Sequence, residues 1–202
     1  PSLSDDVFID DEIAITVTLA GGIGEGVNTL TSSSLVTLNL NGSSLTISGT
    51  SVVNGPLNLD NSTLTVNGDL NLASLSMINS SEIDGTGTGT VSILNGLLMR
   101  NSDVRNVTDF SADTYTIQGL SQFFNSLVNH DGTLEITAAG DRLELQNTQM
   151  DSTSGSGTTE VTGAGTLAVL SGSNWNVNVS VPMAQTLTLD LDGGFINNIE
   201  NL

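Results

Sequence analysis

Short apolar–polar–apolar runs recur along the chain: Leu38-Asn39-Leu40, Leu45-Thr46-Ile47, Leu57-Asn58-Leu59, Leu64-Thr65-Val66, Leu70-Asn71-Leu72 and Leu75-Ser76-Met77. Each puts two large side chains on one face and a small polar one on the other. That period of two predicts half-buried strands rather than helices. Between the runs stand Asn41-Gly42, Asn54-Gly55, Asp60-Asn61 and Asn67-Gly68. These residues tolerate the left-handed backbone region and so turn the chain at little conformational cost. The stretch from Leu38 to Gly49 is echoed from Leu57 to Gly68, an internal repeat with an offset of roughly 19 residues.

Such a repeat predicts an all-β, single-chain parallel β-helix, or solenoid, with rungs of roughly 19–20 residues. An antiparallel sandwich is the competing arrangement, and the near-identity of the two rungs favours the solenoid. The whole chain, 1–202, reads as one solenoid domain. Residues 1–34 hold entry strands, including Ile13 to Leu19, and 35–79 hold the regular rungs. Residues 80–130 are irregular rungs or an excursion: Asp84 to Gly89 reads as a loop, and Phe110, Tyr115, Phe123 and Phe124 gather where strict alternation lapses. Alternation resumes over 131–202, where Trp175 falls on a core position and Phe195 to Leu202 forms an open end without a polar cap.

Charge narrows the partners. The chain carries 22 Asp and Glu against three basic residues, one His and no Cys, a net −19. Nucleic acid is excluded as a partner, since phosphate binding draws on clustered Lys and Arg and there is no lysine. An anionic membrane surface is disfavoured for the same reason, and no apolar stretch reaches the roughly 18 residues of a membrane span. There is no disulfide framework and no thiolate metal site. Pro1 opens the chain without an initiator Met, as a mature product or an excised fragment does.

These features resemble the right-handed parallel β-helix of large bacterial surface proteins, the autotransporter passengers and filamentous-haemagglutinin-like adhesins. The likeness rests on Asp5-Asp6-Val7-Phe8-Ile9 leading into Ile15-Thr16-Val17-Thr18-Leu19, on the Leu-x-Leu and Asn-Gly rungs from Leu38 to Met77, and on the alternating runs from Leu134 to Leu191. It implies an extracellular or cell-surface, elongated, adhesive or scaffolding protein, and carries over no site residues. The expected function is therefore a non-enzymatic structural or adhesive module that self-associates into a fibre or surface assembly. The alternative is a β-helix that binds or cleaves carbohydrate, with surface glycans as partners.

Glu135 and Glu144 stand on successive strands, as a glycosidase carboxylate pair would, although solvated strand faces are commoner. His130 has no Ser or Cys motif around it and reads as a loop residue. Calcium is the more plausible ligand: Asp190 and Asp192 before Gly193-Gly194 suggest an Asp-rich calcium loop, short of the full set of carboxylates. The acidic cluster Asp5, Asp6, Asp10, Asp11 and Glu12 is read as a solvated edge, and Gly22 to Gly26 as a loop. Asn41, Asn61, Asn79, Asn106 and Asn178 open glycosylation sequons of the kind expected by chance in so Asn-, Ser- and Thr-rich a chain. Thr16, Thr18, Thr37, Thr46 and Thr65 raise an ice-binding array, weakened where equivalent places drift to Asn39, Asn58 and Ser76.

Overall fold

The computed structural model of the chain describes residues 2–22, 24–152, 158–162, 165–180, 186–197 and 199–200. It is all-β, with 67% of residues in strands and no helix among those described, stacked as a parallel β-solenoid of about 8 turns. In the middle of the stack each turn is built from two strands, and toward either end the longer one is split in two, as in Thr29–Ser32 and Val36–Asn41. A short one of three to five residues, such as Thr63–Val66 or Glu82–Asp84, belongs to a 9-stranded sheet. A long one of about ten residues, such as Ser51–Asp60 or Asp69–Ile78, bends midway and belongs to a 15-stranded sheet that supplies the other two sides.

The alternation seen in the sequence becomes apolar columns on all three sides of the solenoid. Leu45, Leu64, Ile83, Val104, Phe123 and Leu145 pair rung to rung on the short-strand side. Leu57, Leu75, Leu97, Tyr115 and Leu134 do so on the second half of the long strands, and Leu70, Val91, Phe110, Val128, Met150 and Trp175 on the first half. All are buried. At about 1.5–3 kcal/mol for each large apolar side chain removed from water, this continuous core is the main stabilising term.

Corners rely on two devices. Asn61, Asn79 and Asn101 adopt positive φ on one corner and Asn106, Asn125 and Asn147 on another, the left-handed conformation that Asn accepts more readily than other side chains. Beside them sit buried hydroxyls. The Ser43 N–H donates to Ser62 Oγ and the Ser62 N–H to Ser81 Oγ, while Ser126 N–H and Thr148 N–H donate in the same way to Thr148 Oγ1 and Ser173 Oγ. A corner amide thus finds its partner one rung away, as a buried N–H requires. Rung length is less uniform than the repeat suggests: the linked residues are 19 apart at Ser43 and Ser62, 22 at Ser126 and Thr148, and 25 at Thr148 and Ser173.

Several expectations change. Asn54-Gly55 is no turn but the bend inside the strand Ser51–Asp60, where a Cβ on Gly55 would lie 1.8 Å from the Val36 carbonyl oxygen. Gly24–Val27, expected as loop, is the first short strand. Through 80–130 the rungs run on without an excursion. Alternation lapses there because the bend shifts register between Ile93 and Gly96 and between Ala112 and Thr114. Three of these aromatics fill the core, Phe110 lying 5.4 Å from Phe123 and Tyr115 6.4 and 6.3 Å from these two rings, while Phe124 is half-buried on the outer face beneath Arg105.

Candidate functional site

The short-strand face gathers most of the ion pairs. Arg142 Nε donates to Glu144 at 2.6 Å and its Nη2 donates to Asp190 at 2.7 Å, while Gln122 also donates to Glu144. Arg105 bridges Glu82 at 3.0 Å and Asp103 at 2.9 Å. Both guanidinium pKa values are raised, Arg142 by its bonds to Asp190 and Glu144 and Arg105 by its bond to Asp103. With two of the chain's three arginines committed to carboxylates of their own sheet, this face is an electrostatic tie between rungs.

That arrangement places the residues singled out in the sequence. Asp190 and Asp192 share one side of the strand Thr188–Asp192, and Asp190 is engaged by Arg142. Among the described residues no three His, Cys, Asp or Glu side chains come together as a metal would need. Glu135 and Glu144 are not brought together: Glu135 ends a long strand of one sheet and Glu144 faces outward from the other. In the acidic cluster, Asp6 accepts from Asn28 and Thr29 at 2.9 and 2.8 Å, bonds that lower its pKa, and Asp5 and Asp11 accept from nearby backbone N–H groups. The Thr residues divide between two faces: Thr16 pairs with Thr37 in the 15-stranded sheet, Thr46 with Thr65 in the 9-stranded one. Ser43 and Ser81 of the sequons are buried at corners, so these motifs mark the rung repeat. The side chains of Asn178 and Ser180 lie outside the described set.

His130 is no loop residue. It lies in the strand Leu127–Ile136, fully buried, with neither ring nitrogen hydrogen-bonded and the Tyr115 ring edge-on at 4.8 Å. Burial pushes its pKa down to about 4, against the pull of Asp131 and Asp113. The Tyr115 hydroxyl donates to the Asn129 carbonyl at 3.1 Å and accepts from the Ala112 N–H at 3.0 Å, and burial raises its pKa. Sealed in the core, this pair has no substrate within reach.

Among the surfaces of the described residues that are shaped for contact, two stand out, and no sequence motif marks either. Along the bend of the long strands runs an open groove of about 590 Å³, lined by Val52, Asn54, Asn71, Ser92, Leu94 and Asn95 among others. Leu94 and Val52, apolar side chains out of phase with their strands and 75% and 37% exposed, are the signals the sequence pattern carries for it. At the N-terminal end the core opens into a hollow of about 220 Å³ between Val7, Ile9, Val17, Leu19, Val27 and Leu30, with Phe8 and Ile13 exposed nearby. Together the fold and these surfaces define a protein of the parallel β-solenoid class. No protein family matches the chain, and neither a curated protein nor a solved structure does.

Proposed function

We propose that this chain is a non-enzymatic, extracellular structural or adhesive β-solenoid module that associates with further copies through its ends. The observation that carries the reading is the N-terminal end. There the strands Asp6–Ile9, Ile15–Ala20 and Gly24–Val27 each have a partner on one side only among the described residues, and the apolar columns lie open between them. Unpaired strand edges around an apolar mouth are a template for further strands. At the other end Leu191 and Phe195 are exposed on the last strands described. Contact between two unlike ends is heterologous, and where its rotation does not close a ring it grows a fibre. Support for a non-catalytic role comes from Glu135 and Glu144, whose separate faces dissolve the carboxylate pair. Placement outside the cell rests on the resemblance to bacterial surface solenoids and on an acidic surface that keeps repetitive β-structure soluble.

Sedimentation velocity and electron microscopy over a wide range of protein concentration test the reading. Rods that lengthen with concentration are expected. A monomer under every condition, high salt and calcium included, overturns self-association.

A further inference from the structure

We propose that the groove along the bend of the long strands binds a neutral polysaccharide chain lying parallel to the solenoid axis. This rests on the adhesive part of the reading above, names what is held, and does not require the ends to associate.

The groove crosses successive rungs, and its groups recur with them. Asn71 and Ser92 are register partners on adjacent strands. Asn54 donates its amide to the Ser32 carbonyl and Asn95 to the Ala73 carbonyl, each at 2.9 Å and each one rung back. These bonds fix both side chains and leave their Oδ1 atoms as oriented acceptors. Asn71, exposed and without a hydrogen bond to the described residues, offers both halves of its amide. Between the amides, Val52 and Leu94 are 37% and 75% exposed. Fixed neutral hydrogen-bonding groups around apolar patches match a sugar, whose hydroxyl rim and C–H ring faces need both.

Charge and periodicity select within that class. No ionisable residue lines this groove or the neighbouring one of about 490 Å³ beside Ser76, Leu98 and Thr116, although the chain carries 22 carboxylates. A net charge of −19 repels polyanions, so uronic-acid and sulfated glycans are disfavoured. Rungs repeat at about 4.8 Å, close to the advance of one sugar in an extended glycan, so equivalent groups meet successive sugars. An extended peptide would seek a free strand edge. The groove has none, because Ser51–Asp60, Asp69–Ile78 and Thr90–Arg100 are paired on both sides.

Affinity electrophoresis of the monomeric fraction tests the proposal, with gels containing hydroxyethylcellulose, galactomannan or dextran as neutral probes and alginate or polygalacturonate as anionic ones. Retardation by at least one neutral polymer and by neither anionic one is expected. Asn71→Ala then weakens the apparent affinity about fivefold, the worth of a hydrogen bond or two, and Leu94→Asp weakens it further, with unchanged circular dichroism. The proposal is overturned if no neutral polymer retards the chain, if the anionic polymers retard it equally, or if both folded variants bind as wild type. A chain that forms rods but binds no glycan overturns this inference and leaves the assembly reading standing. A glycan-binding chain that never associates does the reverse.

Discussion

The backbone N–H of Ser43 donates to the hydroxyl of Ser62, one rung along, at 3.2 Å. Ser62 passes the pattern on, its own N–H donating to Ser81 Oγ at 3.3 Å while its hydroxyl donates to the Asp60 carbonyl at 2.8 Å. The hydroxyl is buried, so truncation strands an amide with no water to replace the bond. Ser62→Ala should destabilise the chain by about 1–3 kcal/mol in urea unfolding. Ser76→Ala, half-buried on an outer face, should stay within about 0.5 kcal/mol of wild type. Equal losses from the two would remove the ladder's special role.

Gly55 is required by close approach of backbone to backbone. A Cβ there would meet the Val36 carbonyl oxygen at 1.8 Å, which no rotamer relieves. Gly55→Ala should therefore destabilise by at least about 3 kcal/mol, the upper range for overpacking a fixed site. Gly140→Ala has open space around its Cβ and should be neutral or stabilise by up to about 1 kcal/mol. Thermal unfolding of the two variants side by side checks both signs.

His130 ties stability to pH. In the unfolded chain the imidazole takes up its proton near its ordinary value of 6.5, whereas in the folded core it does so only at about 4. Between these values the unfolded state binds more protons. Stability is therefore full above about pH 6.5, falls as pH drops toward 4, and loses nothing further from this group below that. The shift corresponds to a loss on the order of 3 kcal/mol. His130→Leu keeps the core filled, removes two buried nitrogens without partners, and should abolish that slope. Denaturant unfolding at pH 8, 6 and 4.5 measures the difference between the two chains; parallel curves would show that the ring is solvated.

Much of the fold was legible because one strand's alternation reports its own two faces. The echo of Leu38 at Leu57 and of Leu45 at Leu64 is also the register in which those strands pair. What pattern could not convey was how faces of different strands combine. Glu135 and Glu144 are close in sequence yet belong to different sheets, and His130 looked solitary because its neighbour Tyr115 comes from the adjacent rung. Ser and Asn at corners spelled sequons, since the residues that turn a rung are also those of the glycosylation motif. The groove escaped notice for a related reason: a bend midway through Ser51–Asp60 reads in sequence as a turn between two strands.

Charge sets the conditions for assembly. The first turn carries Asp5, Asp6, Asp10, Asp11, Glu12 and, lining the mouth, Glu25, and the last short strand described carries Asp192 beside the Arg142-paired Asp190. Two such ends repel when brought together, and the repulsion between exposed groups is screened within about 10 Å at 0.1 M salt. Association through the ends should therefore be weak at low ionic strength and strengthen as NaCl or calcium chloride is added. Replacing Asp10, Asp11 and Glu12 by Asn, Asn and Gln removes three of these charges without touching the columns of the core, and should lower the salt needed for assembly. Light scattering across a salt titration follows both chains. A triple variant that assembles at the same salt as wild type would show that the ends meet with their acidic rims apart, leaving the apolar mouth alone to govern contact.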